Sequence, residues 1–245
     1  MTPKQVASLD LVPLTEALLS RSDPTLEQYV AAVSEYYRNS PKLDDGSKKR
    51  AQLILGAALG RAAARDLKVR LPKLALNTSE TPVAGALRVV NADVSEFHRL
   101  DGLRLAIEVK PVNLAVGRAI WNRFGDIRTF AVNLHIKFPF AVVGGILAIP
   151  TLERKEGREL RTDHLIERAT DRLARAANRR SEGDAPHLLE GVALVAYDPH
   201  AGTVSSTLPS EGSGLRWSNF VEDMVTAYRA RFEGVEDAAL DVEQG

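Results

Sequence analysis

The chain contains no cysteine. That absence excludes disulfides, zinc–thiolate sites, iron–sulfur clusters and a thiol nucleophile, and it fits a reducing cytoplasm. No apolar run approaches the ~20 residues that a membrane-spanning helix needs. The longest, residues 138–150, reads as a buried strand. The stretch Met1-Thr2-Pro3-Lys4-Gln5 lacks the apolar core of a signal peptide, so a cytoplasmic protein with no membrane partner is expected. The histidines (His98, His135, His164, His187 and His200) form no His-x-x-x-His or His-Glu-x-x-His pair, which argues against a zinc protease. There is no Gly-x-x-x-x-Gly-Lys-Ser/Thr loop for ATP phosphates and no Gly-x-Ser-x-Gly frame for a nucleophilic serine. Net charge is also missing: 32 basic and 32 acidic side chains cancel, so overall electrostatics alone do not point to a nucleic acid.

What is present suits one domain of 245 residues, with 44% hydrophobic residues to build a sizeable core. Residues 1–46 read as a helical arm, with a short apolar piece at 11–19 and a stripe of Leu26, Tyr29, Val30, Val33 and Tyr37 following Asp23-Pro24. Ser47 is expected to cap a helix over 48–66, rich in alanine and glycine on the side that would meet a sheet. Residues 68–76 read as an edge strand and 77–82 as a turn. A helix over 114–134, with Gly125 as a weak point, precedes a strand at 141–149 too continuously apolar to be half exposed. Within that strand, close packing explains Gly144-Gly145 better than phosphate binding does. A charged turn at 151–157, a helix over 159–180, a strand at 188–197 and an amphipathic helix from Trp217 to Phe232 complete the chain. The expectation is an α/β fold, a mixed central sheet flanked by helices, in one domain: the arm, a core over 47–150, and 151–245 completing the sheet.

Charge is unevenly placed. From Lys48 to Lys73 eight basic residues face one acid, Asp66, whereas beyond Arg231 all charges are acidic: Glu233, Glu236, Asp237, Asp241 and Glu243. The basic run is compatible with phosphate contact. The arginines of 159–180 are interleaved with acids and read as an ion-paired, solvated surface.

The organising stretch is 93–110. Asp101-Gly102 lies between two extended runs, 89–100 and 103–109, and reads as a two-residue hairpin turn. Pairing Leu100 with Leu103 sets Asp93 opposite Lys110 and Ser95 opposite Glu108. Side chains alternate along a strand, so Asp93, Glu108 and Lys110 share a face, while Leu103, Leu105, Ile107 and Val109 point to the core. The same register puts Glu96 and His98 beside Ile107 and Leu105, a conflict that a bulge after Ser95, or a longer loop, would relieve. Acid-x-Lys occurs three times, at Asp66-Leu67-Lys68, Glu108-Val109-Lys110 and Glu153-Arg154-Lys155. Only the middle triplet ends an apolar strand with an acid across a hairpin. A Glu and a Lys two apart on a strand also suit a solvated surface pair.

Asp93 followed by Glu108-Val109-Lys110 resembles the PD-(D/E)xK nuclease superfamily, in the style of type II restriction endonucleases, over residues 47–150. The order helix, three strands, helix, strand read from periodicity agrees with a restriction endonuclease-like core. The chain has Ala92 where the family often has proline, Gln52 but no glutamate in the preceding helix, and no Gln-x-x-x-Tyr after the lysine. The resemblance implies a restriction-modification hydrolase. In it Asp93, Glu108 and the Val109 carbonyl hold Mg2+, Lys110 orients the attacking water, and a homodimer cuts double-stranded DNA. Asn113, Arg118, Asn122 and Arg123 are the expected DNA contacts, since these side chains suit base edges and phosphates. A repair or junction-resolving nuclease of the same superfamily, and a non-catalytic DNA-binding or assembly subunit on that scaffold, are the alternatives.

Overall fold

The computed structural model describes residues 13–18 and 23–233. The acids Glu236, Asp237, Asp241 and Glu243, and part of the apolar piece at 11–19, lie outside the described residues. Among the described residues no helix is long and apolar enough to cross a membrane.

The elements in order are α1 (Pro13–Ala17), α2 (Leu26–Asn39), α3 (Asp45–Arg70), β1 (Thr81–Ala84), β2 (Val89–Ala92), β3 (Val94–His98), β4 (Gly102–Pro111), α4 (Val116–Lys137), β5 (Val142–Pro150), β6 (Leu152–Lys155), β7 (Arg158–Arg161), α5 (Asp163–Ala174), β8 (Gly191–Asp198), β9 (Thr203–Val204) and α6 (Trp217–Phe232). The protein is α/β, built on a five-stranded mixed sheet ordered β3-β4-β5-β8-β9. The central pairs β4/β5 and β5/β8 are parallel, and the outer pairs β3/β4 and β8/β9 are antiparallel. Two small hairpins, β1/β2 and β6/β7, stand apart from it.

Each face of the sheet carries its own core. Leu105, Ile107 and Val109 of β4 pack with α2, α3 and α6. Ala106 of β4 and Val143 and Leu147 of β5 pack with α4 and α5. The central strand β5 is buried along its whole length, as its continuous apolarity predicts. Its two glycines let helices close in from both sides. A Cβ on Gly144 would lie 2.9 Å from the Phe220 ring of α6, and one on Gly145 2.5 Å from Ile127 of α4.

Several boundaries differ from the sequence reading. Helix α2 is capped at Thr25, in a reciprocal box with Gln28, rather than at Asp23. Helix α3 is capped by Asp44, whose carboxylate accepts from the Ser47 N–H, so Ser47 lies inside the helix. It runs on to Arg70 and absorbs the start of the supposed edge strand; only an isolated bridge, Asn77 to Ser95, touches β3 there. The expected turn at 77–82 opens into β1. Glu159, Leu160 and Arg161 belong to strand β7, and α5 starts only at Asp163 and ends at Ala174. Helix α4 runs unbroken through Gly125.

Candidate active site

Strand β4 supplies most of the site. It is ten residues long and lies between β3 and β5, so its chain is fixed on both sides. Val94 pairs with Ile107 and Ser95 with Ala106, which sets Asp93 across from Glu108 rather than Lys110. The turn explains the change. Its loop is Arg99-Leu100-Asp101, closed by the pair His98 and Gly102. Gly102, the first residue of β4, takes φ +72°, a left-handed conformation that favours glycine. One more residue, Arg104, is then inserted into β4 opposite the Glu96–Phe97 step. The longer loop and this bulge together move Asp93's partner by two residues. An even shift preserves the face, so Asp93, Glu108 and Lys110 still meet.

The bulge falls one residue later than the sequence reading places it and does not free Glu96. That side chain now sits opposite Leu105 instead of Ile107, still on the α6 side and buried to 7% exposure. It lies against the Tyr228 hydroxyl, with Arg104 beside them.

Asp93 occupies the gap between β2 and β3. Its N–H donates to the Ile107 carbonyl at 3.1 Å, and its Oδ2 accepts from the Val109 N–H at 2.7 Å. The carboxylate thus fills a place in the ladder where a backbone carbonyl would otherwise sit. Helix α3 supports it from behind: a Cβ on Gly60 would lie 3.8 Å from the Asp93 Cβ. Because carbonyls two apart on a strand point the same way, that of Val109, like that of Ile107, faces the Asp93 edge. Glu108 is buried to 7% exposure, and its Oε1 is ion-paired with Lys110 Nζ.

Burial dominates the electrostatics. It pushes the Glu108 carboxyl up to about 7, against the pull of Lys110 and with the help of the Asp93 and Asp126 charges. Burial likewise raises Asp93, opposed by the Val109 N–H and Lys110 and reinforced by Glu80. A single ammonium does not fully compensate two acids placed this close.

An open cleft of ≈ 370 Å³ lies over the acids, walled by Glu80, Arg88 and Asn91 on one side and by Asp126 and Phe130 of α4 on the other. A second, ≈ 400 Å³, continues past Asp93 and Lys110 to Lys49, Gln52 and Arg123. Glu80 and Asp126 are the acids that sequence reasoning missed. Glu80 sits just before β1 and accepts from Asn91 Nδ2 at 2.6 Å; the span around it reads as a turn. Asp126 is paired with Arg123 at 3.1 Å and carries no local sequence signal. Gln52, where a helix glutamate might have stood, borders the cleft and donates to the Tyr36 hydroxyl at 3.1 Å.

The expected DNA contacts scatter. Arg123 lines the cleft beside Lys110. Arg118 and Asn122 are exposed on α4. Asn113 is a correction: it is buried to 4% exposure, with an Oδ1 that has no hydrogen-bond partner among the described residues. The turn leading out of β4 tucks it inward, so it is no surface contact.

Among the described residues no three acidic or histidine side chains converge tightly enough to cage a metal ion. The donors at hand are two carboxylates and one carbonyl. All are oxygen, which fits a magnesium ion that keeps much of its water and takes one or two protein carboxylates. No family model matches the chain, and neither the curated proteins nor the solved structures compared with it include a match.

Proposed function

We propose that the chain is a magnesium-dependent endodeoxyribonuclease on a restriction endonuclease-like core, similar to type II restriction enzymes and acting on double-stranded DNA as a homodimer. One observation carries this reading: Asp93 and Glu108 face each other across adjacent strands under an open cleft, with Lys110 Nζ on the Glu108 carboxylate. A buried and a half-buried acid, both with raised affinity for protons, are two acids in need of a cation, and a divalent ion answers that better than a proton at neutral pH.

In this reading Asp93, Glu108 and the Val109 carbonyl hold the ion. Bound there, magnesium supplies a water of lowered pKa and withdraws charge from the scissile phosphate. Lys110, on the same face, donates to the attacking water and to a phosphate oxygen. Water adds to phosphorus and gives up a proton to solvent, the P–O3′ bond breaks, the departing O3′ takes a proton from solvent, and a 5′-phosphate and a 3′-hydroxyl are left. Each site cuts one strand, so cutting of both strands calls for two copies related by a two-fold axis.

The test is incubation with magnesium and a supercoiled mixed-sequence plasmid, beside Lys110→Ala and Asp93→Ala. The parent is expected to give discrete fragments, and each variant to cut at least about 10²-fold more slowly. A parent that leaves the plasmid whole, or a Lys110→Ala variant that cuts as fast, overturns the assignment.

A further inference from the structure

Helix α4 divides two concavities. One flank, with Arg123, Asp126 and Phe130, faces the candidate site. The other, with Trp121, Phe124 and Arg128, faces α5. Between α4 and α5 lies an open groove of ≈ 350 Å³ lined by Phe124, Arg128, Arg172, Arg175, Ala176 and His187.

The expectation of an ion-paired surface over 159–180 holds for Arg161, paired with Asp163, and Arg179, paired with Glu190, but not for the arginines at this groove. Arg168 and Arg172 of α5 and Arg175, the residue that caps its end, fall at i, i+4 and i+7 and form one stripe, with Asp171 flanking it at i+3 from Arg168. Among the described residues neither these three arginines nor Arg128 pairs with a carboxylate. Arg168, Arg172 and Arg128 rest on aromatic rings instead, while Arg175 lines the groove beside them. The guanidinium carbons of Arg168 and Arg172 lie 5.2 and 4.1 Å from the centre of the Trp121 ring, and that of Arg128 lies 5.7 Å from the centre of Phe124. Like charges a turn apart on a helix repel, and ring faces hold such groups in place without neutralising them. The basic run of α3 is partly paired: Lys48 pairs with Asp45, Arg65 with Asp66 and Arg70 with Glu222, and Arg61 donates to the Leu18 carbonyl, while Lys49, Arg50 and Lys68 are exposed.

We propose that the α4/α5 groove is a clamp for the phosphodiester backbone of duplex DNA, lying outside the chemical site and holding the substrate that the cleft cuts. This rests on the nuclease reading above. The stripe from Arg168 to Arg175 extends about 10 Å at 1.5 Å per residue, enough to follow several phosphates along one strand. The groove lies one helix diameter, about 10 Å, from the cleft, so one duplex can reach both. A lipid surface is a poorer partner, because none of the exposed large hydrophobic residues, such as Leu53, Phe97, Leu100 and Phe140, lines the groove.

The experiment measures binding without cutting. Lys110→Ala protein in EDTA is titrated with a labelled mixed-sequence duplex over a range of salt, alone and combined with Arg172→Ala/Arg175→Ala. The arginine pair is expected to weaken binding about tenfold or more and to flatten the log–log salt slope by about 2. Arg172→Lys/Arg175→Lys should keep most of the slope. Lys42→Ala/Arg158→Ala, which removes the same charge at exposed positions elsewhere, should leave it unchanged. Intact melting of the arginine variants by circular dichroism shows that the loss is not unfolding. If the duplex is bound with the same slope without the two arginines, or if the Lys42/Arg158 variant loses as much, the clamp is wrong. Phosphatidylserine vesicles or inorganic phosphate competing at this groove as well as the duplex would also overturn it. A parent that cuts plasmid while the slope stays unchanged sinks the clamp alone, whereas a parent that neither cuts nor binds sinks both readings.

Discussion

Glu108 is the residue at which stability and chemistry pull apart. Its folded carboxyl titrates at about 7, against 4.5 for an ordinary glutamate. The folded form therefore holds a proton that the unfolded chain releases between those values. Metal-free stability falls as pH rises through that window, and the full cost applies above it. At about 1.4 kcal/mol per pH unit that cost is on the order of 3 kcal/mol. Glu108→Gln keeps an acceptor for Lys110 and removes the ionisation. In urea unfolding without metal the variant is expected to be more stable than the parent at pH 8, with the difference closing toward pH 5, while plasmid cutting is lost. An equal difference at both pH values would show that the carboxyl is not under this stress. Magnesium should stabilise the parent at pH 8 and leave the variant nearly unmoved, since a ligand stabilises only the state that binds it.

The β3/β4 hairpin is the element that makes the site, and its two irregularities have different jobs. Gly102, at φ +72°, closes the loop; a Cβ there would also come within 3.3 Å of the Phe138 ring. Gly102→Ala is expected to cost about 1–2 kcal/mol, measured by urea unfolding. The register around Asp93 is fixed by pairs nearer the centre of the sheet, Val94 with Ile107 and Ser95 with Ala106. The folded variant should therefore cut at close to the parent rate, and a large loss of cutting at full folding would show that the tip controls the acids. Arg104, inserted by the bulge, is drawn back to Asp101, with Nη2 2.5 Å and Nε 2.6 Å from its Oδ2. The Asp-Gly pair that flags the turn in the sequence thus also anchors the residue that shifts the register.

Across the whole molecule, a buried charge cluster ties the two helical layers together at the far end of the sheet. Glu190, just before β8, accepts from the Val143 N–H at 2.8 Å and from Arg179 Nη1 at 2.9 Å, and lies 3.2 Å from His135 of α4 and 2.7 Å from Arg231 of α6. Burial pushes its carboxyl up, but the hydrogen bond and charge of His135, the Arg231 charge and the Val143 N–H together pull it down to about 2. Its contribution to stability is complete above the ordinary glutamate value of 4.5 and is lost as pH falls toward 2. Glu190→Gln leaves two guanidinium groups buried without their counter-charge, which should cost about 3–5 kcal/mol in urea unfolding at pH 7. It should also make the acid limb of the parent's stability curve shallower. A loss under about 1 kcal/mol would mean that the layers are held by apolar packing alone.

Periodicity settled much of the architecture before any coordinates. The apolar continuity of residues 141–149 marks a central strand, the stripe from Trp217 to Phe232 marks α6, and the acid, acid and lysine alternate onto one strand face because side chains have period two. The parts that could not be read have physical causes. Loop length and the Arg104 bulge depend on how β3 meets β4, and their errors cancel only because the net shift is even. Glu80 and Asp126 come from a hairpin and a helix distant in sequence, and nothing local marks them as neighbours of the site. Charge was the most misleading signal: Lys48, Arg61, Arg65 and Arg70 of the basic α3 find partners on the fold, while Arg168 and Arg172 of α5, interleaved with acids along the chain, stack on Trp121 without one among the described residues. The sequence set which faces are apolar and which positions carry charge. Pairs within one helix, such as Lys48 with Asp45 and Arg123 with Asp126, follow from local spacing; tertiary packing alone decided pairs between elements, such as Arg70 with Glu222 and Arg231 with Glu190, because those depend on distances that no local pattern encodes.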